Sequence, residues 1–127
     1  MCGIFSIFNN KYSDELLKIN FEKGRNRGPE YESFNKINDN LIMGFHRLAI
    51  NGFNEFDNSN QPIQQDNIVL ICNGEIYNWK ELYKKIGTDK QQTGSDCEII
   101  IHLYRMFGIK ETLQMLDGVF AFILYDK

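Results

Sequence analysis

Four short apolar runs constrain this chain most. Residues 4–8, 41–50, 68–72 and 119–125 each have strand length, and polar or turn-forming residues separate them. The intervening segments carry helix signals. Ser13-Asp14-Glu15 reads as a helix start, with Leu16, Leu17 and Phe21 on one face and Gly24 as the stop. Asn78 with Glu81 resembles a cap with its reciprocal acid, Leu82 and Ile86 supply an inner face, and Gly87 ends that helix. Ser95-Asp96-Cys97-Glu98 reads as a stronger capping box. Ile100, Leu103, Tyr104 and Phe107 follow at helical spacing, Gly108 closes the helix, and a short helix is predicted over 111–116. Arg25-Asn26-Arg27-Gly28-Pro29 is a positively charged turn, and 51–60 is a polar loop. Asn73-Gly74 is a strong turn signal that ends the third run. The last apolar strand stands at the end of the chain, so its partner is expected in sequence beyond it.

Composition excludes several classes. A chain of 127 residues fits one domain. A hydrophobic fraction of 43% with 13% aromatics excludes a disordered chain. No run of 18 apolar residues occurs, so no membrane-spanning helix is expected. A net charge of −3 argues against nucleic acid as a partner. The first apolar stretch is too short for a secretory signal and meets Asn9, Asn10 and Lys11 at once. The three cysteines, Cys2, Cys72 and Cys97, lack C-x-x-C spacing, which argues against a disulfide framework and a zinc site. The expected compartment is a reducing cytoplasm.

Several residues could carry chemistry, each with an ordinary alternative. Cys2, once Met1 is removed, would carry a thiol and a free α-amine, a nucleophile with its own general base. From position alone it reads more simply as a small apolar residue entering a strand. Cys72 reads as core. Cys97, in a first helical turn, could be a stabilised thiolate, but its spacing to Ile100, Ile101 and Tyr104 favours packing. The Asn73 amide and the Gly74 N–H could converge on one oxygen as an oxyanion hole, yet Asn-Gly is also a common hairpin turn, which spacing alone favours. Arg47 is a charge within an apolar strand: outward-facing, or an anchor for a carboxylate. Asp96 could complement a helix dipole or present a carboxylate to an ammonium. His46 and His102 lack partners at metal spacing and read as structural.

Together these residues resemble a known pattern. Met1-Cys2-Gly3-Ile4-Phe5, Arg27-Gly28-Pro29, Arg47-Leu48-Ala49-Ile50, Gln61-Pro62, Asn73-Gly74-Glu75-Ile76-Tyr77-Asn78, Thr93-Gly94-Ser95-Asp96-Cys97-Glu98 and Leu116-Asp117-Gly118-Val119-Phe120-Ala121-Phe122 occur in order along the chain. The sequence is similar to the glutaminase domain of class II glutamine amidotransferases, which are N-terminal-nucleophile hydrolases, and within them to the asparagine synthetase branch. It departs at Phe45-His46, where the family usually has His two residues before the arginine, at Glu30, where Asp is usual, and at Ser59-Asn60, where a glycine often precedes Gln-Pro.

The resemblance implies an α+β fold, an α/β/β/α four-layer sandwich of antiparallel sheets, incomplete at its C-terminal side. It implies that residues 1–127 are a glutaminase domain without its C-terminal part and without the synthetase domain. The implied roles are Cys2 as nucleophile, Asn73 and Gly74 as oxyanion hole, Arg47 for the α-carboxylate of glutamine and Asp96 for its α-ammonium. Leu48, Ala49, Ile50, Asn51 and Glu75 would line the same pocket. The implied substrate is L-glutamine, hydrolysed to glutamate and ammonia for asparagine synthesis in a synthetase domain joined in cis or in trans. A homodimer is among the assemblies the resemblance allows. No cofactor or metal is implied for the glutaminase half; ATP and Mg²⁺ would belong to the synthetase domain. Two other readings stand beside this one: the module of another class II amidotransferase, and a shortened, non-catalytic remnant that binds or regulates.

Overall fold

Along the fifth strand, side chains alternate between two cores, and this alternation sets the layering. The computed structural model describes residues 2–9, 11–48 and 59–127. Its elements are β1 (Gly3–Phe8), α1 (Asp14–Glu22), β2 (Tyr31–Asn38), β3 (Leu41–Arg47), β4 (Ile63–Gln65), β5 (Ile68–Ile76), α2 (Trp79–Ile86), α3 (Ile99–Met115) and β6 (Gly118–Asp126). Two antiparallel three-stranded sheets form, in the orders β1-β3-β2 and β4-β5-β6. From β5, Val69 and Ile71 pack with Leu41, Met43 and Phe45 of β3, filling the space between the sheets. Ile68, Leu70, Cys72 and Ile76 point the other way, into a core with Leu82 of α2 and with Ile99, Ile100 and Leu103 of α3. On the outer face of the first sheet, Phe21 of α1 stacks on His46 at 3.9 Å and meets Phe5 edge-on at 5.8 Å. The layers are therefore helix, sheet, sheet, helices: an α+β sandwich.

Local chemistry explains the elements and several departures from expectation. Ser13 caps α1 by accepting from the Leu16 N–H, as predicted. The buried face of α1 is Leu17 and Phe21, one turn apart, while Leu16 is 44% exposed. Asn78 stands at the start of α2 but caps nothing: its side chain donates to the Met115 carbonyl and accepts from the Asp117 N–H, pinning α2 to the α3–β6 connection. Ser95 accepts from the Cys97 N–H, but Glu98 does not complete a capping box, because its carboxylate is engaged elsewhere. Residues 96–98 form a 3₁₀ turn before α3. Gly108, at φ 78°, breaks α3, where a helix end was predicted, and Phe107 is exposed rather than inward-facing.

Two strands, β2 and β4, carry no strong sequence signal. β3 ends at Arg47 instead of continuing to Ile50; Leu48 has left the strand, and Ala49 and Ile50 lie outside the described residues. Most of the predicted 51–60 loop lies outside them too. The largest correction concerns Asn73-Gly74. No turn occurs there: β5 runs on to Ile76, paired with β6 throughout, Asn73 opposite Ala121 and Gly74 opposite Phe120. Among the described residues, no helix is long and apolar enough to cross a membrane.

Candidate active site

The site forms where β1, β3 and β5 end beside the turn that leads into α3. Antiparallel pairing sets Gly3 opposite His46, which carries Cys2 to the Arg47 end of β3. The Cys2 Sγ donates to the Leu48 carbonyl at 3.5 Å. A cleft of about 110 Å³ opens there, and its walls include Cys2, Arg47, Leu48, Gly74, Glu75 and Asp96. Six of the residues singled out from sequence thus meet around one space. Ala49, Ile50 and Asn51 lie outside the described residues.

Arg47 is 3% exposed, so it is not an outward-facing strand charge. Its Nη1 donates to Asn60 Oδ1 at 2.8 Å. Behind it the Arg27-Gly28-Pro29 segment packs backbone to backbone: Pro29 bridges to Arg47, and the Glu30 N–H donates to the Arg47 carbonyl at 3.2 Å. A Cβ on Gly28 would collide with the His46 carbonyl, so this close approach needs glycine. The motif is thus a buttress for Arg47.

Asp96 comes from the 3₁₀ turn. Its Oδ2 accepts from the Ile76 N–H at 2.6 Å, tying the turn to β5. Burial pushes its carboxyl above the ordinary aspartate value, and the charge of Glu75 adds to this, while the Ile76 N–H opposes it. A carboxylate held so is stabilised by an incoming cation. Burial likewise pushes the Cys2 thiol up, with the Arg47 charge acting against it. The thiol therefore needs a base to become a nucleophile at neutral pH.

Asn73 and Gly74 are successive strand residues and face opposite sides. Gly74 lines the cleft that holds Arg47 and Asp96. Asn73 lines an adjoining cleft with Gly3, Arg27 and His46; Cys2 is common to both. The Asn73 Oδ1 is buried without a hydrogen-bond partner. Beside Cys2, Asn73 thus offers its side-chain amide and Gly74 its backbone N–H, from successive strand positions and not from a turn.

Sequence reasoning did not single out Gln61, Tyr77 or Val119 as wall residues. The signal for Gln61 was its place before Pro62. Its Oε1 accepts from the Cys72 N–H at 2.5 Å, closing the cleft floor. Cys72 and Cys97 are buried, as their apolar surroundings predicted. His102 contacts Glu98 at 3.1 Å, and His46 lies against Phe21. Among the described residues, no three His, Cys, Asp or Glu side chains are grouped to hold a metal ion.

A thiol, a buried cation and a buried carboxylate thus wall one cleft of an α/β/β/α sandwich. The chain belongs to the glutamine amidotransferase domain family, whose model matches residues 1–127. It is similar to the glutamine-hydrolysing asparagine synthetases of Gallus gallus, at 43% identity over 136 aligned positions, and of Arabidopsis thaliana, at 35% over 132. Each alignment covers 99% of this chain, but the chain spans only 22–23% of those relatives' length. Among solved structures, a glutamine phosphoribosylpyrophosphate amidotransferase from B. subtilis, complexed with ADP and GMP, superposes with a TM-score of 0.54 and 28% identity. That match covers 68% of this chain and 21% of the other.

Proposed function

We propose that this chain is a glutaminase module: it hydrolyses the side-chain amide of L-glutamine to glutamate and ammonia. The observation that carries this reading is one cleft walled by the Cys2 thiol, the Arg47 guanidinium and the Asp96 carboxylate. Glutamine carries one carboxylate, one ammonium and one amide. Arg47 suits the first by bidentate hydrogen bonding, Asp96 the second by charge, and Cys2 the third as nucleophile.

In the proposed sequence, Met1 is removed and the α-amine of Cys2 takes the thiol proton. The thiolate adds to the amide carbon, and the oxyanion is stabilised by the Asn73 side-chain amide and the Gly74 N–H. The C–N bond then breaks, and the proton held by the amine leaves with ammonia. A glutamyl thioester remains. Water adds to it, the C–S bond breaks, and glutamate and the Cys2 thiol are released. No step uses a metal.

Similarity to asparagine synthetases supports the further reading that residues 1–127 are one domain whose ammonia serves a synthetase domain, in cis or in trans, that makes asparagine from aspartate. ATP and Mg²⁺ would act there. Three free thiols suit a reducing compartment such as the cytoplasm.

The test is glutamate release from glutamine by the purified chain and by Cys2→Ala. Release by the parent chain that disappears in the variant is the expected result. Equal release by both, or none by a folded and Met1-free parent chain, contradicts the reading.

A further inference from the structure

Glu98 is fully buried, with 0% exposure, and the roles above give it no task. Its Oε1 accepts from Gln65 Nε2 at 2.7 Å and from the Gln92 N–H at 2.9 Å, and lies 3.1 Å from His102 Nε2. Its Oε2 accepts from the Thr93 N–H and the Thr93 hydroxyl, both at 2.6 Å. These bonds do not satisfy the first amides of its own helix. They reach back to β4 and to the segment before the Asp96 turn. The Thr93 Oγ1 accepts in turn from the Ser95 N–H at 3.1 Å, and the Ser95 hydroxyl accepts from the Cys97 N–H at 3.3 Å. The turn that carries Asp96 is thus gripped from one side by β5, through the Ile76 N–H, and from the other by the Glu98 network.

We propose that Glu98 is the positioning residue of the ammonium subsite: it fixes the 93–96 segment so that Asp96 presents its carboxylate to the α-ammonium of the substrate. A desolvated carboxylate is tolerated only where its oxygens are hydrogen-bonded. Here the partners that satisfy it are the groups whose placement fixes Asp96. Selection for an α-amino substrate therefore depends on a residue that touches no substrate. This inference rests on the glutaminase reading, in which Asp96 meets the ammonium.

The test is protection of the Cys2 thiol from iodoacetamide, measured with glutamine and with the same molecule lacking its α-amino group. In the parent chain, glutamine half-protects at the lower concentration. Glu98→Gln is expected to raise that concentration about tenfold for glutamine while leaving the des-amino analogue within about twofold, the pattern of a weakened charged contact. Thr93→Val, which removes only the relaying hydroxyl, is expected to shift glutamine in the same direction and serves if Glu98→Gln does not fold. Asp96→Asn is the comparator. If it removes the preference for glutamine while Glu98→Gln and Thr93→Val keep it, the role of Glu98 is overturned and the subsite stands. Equal weakening of both ligands by Glu98→Gln also overturns it, since a general loss of structure would not spare the analogue. If Asp96→Asn keeps the preference, or glutamine gives the parent chain no protection, the underlying reading fails and this inference with it.

Discussion

Asn73 and Arg47 have different tasks in the proposed chemistry, and kinetics separates them. Asn73→Ala removes a donor used only when charge develops on the amide oxygen. Turnover is expected to fall by about a hundred- to thousandfold, with little change in half-saturating glutamine. Arg47→Ala removes a contact made equally before and during reaction, so it is expected chiefly to raise half-saturating glutamine. Steady-state glutamate release reads both, and unchanged turnover in Asn73→Ala would remove Asn73 from the mechanism. Asp96 adds a pH dependence. Its carboxyl is held above the ordinary value by burial, so on acidification it is protonated at a higher pH than a free aspartate, about 3.9. Half-saturating glutamine is expected to rise as pH falls through that window, and this rise is expected to vanish in Asp96→Asn. The sign for stability is opposite: the folded chain holds the Asp96 proton more tightly than the unfolded chain, so this group costs stability as pH rises through the same window. Glu98 behaves as an ordinary paired acid. Burial would raise it, but bonds from His102, Thr93 and the Gln92 and Thr93 amides outweigh that and hold it low. Its contribution is present above the usual glutamate value and is lost as pH falls through the lower folded one.

Gly74 shows where local sequence signals mislead at the scale of the element. Asn-Gly at the end of an apolar run reads as a hairpin turn, yet the chain stays extended because β6 pairs with it through Gly118 and Glu75 is still in register with Val119. The glycine is there for closeness: a Cβ would strike the Val119 carbonyl and the Phe120 backbone. Gly74→Ala is expected to force β5 and β6 apart and to cost about 1–3 kcal/mol, the usual scale of overpacking, measured by urea unfolding. A change inside about 0.5 kcal/mol, the range of neutral surface substitutions, would contradict this pairing. Helix starts were legible wherever a hydroxyl met a free amide, as at Ser13 and Ser95. Asn78 and Glu98 were misread because their side chains bond distant partners that no local window contains. β2 escaped notice because it is a half-exposed edge strand, and β4 because it has only three residues. β3 hid its two faces because every residue in it is buried, which erases the alternation that marks a strand.

The whole molecule unites residues that no spacing rule connects. Cys2, Arg47, Gly74 and Asp96 come from β1's leading end, β3, β5 and a turn, and they converge only because two sheets stack and end together. The order of seven short segments pointed to that assembly where periodicity did not. Each residue alone kept an ordinary reading until its neighbours in space were known. The proposed chemistry requires Cys2 in this chain to be a processed nucleophile at a formed glutamine pocket. Intact mass before and after incubation with a diazo-ketone analogue of glutamine tests it most directly. The expected result is a chain lacking Met1 that gains one adduct, mapped to Cys2 and blocked by excess glutamine. A processed chain that stays unlabelled, or is labelled with glutamine giving no protection, would contradict it.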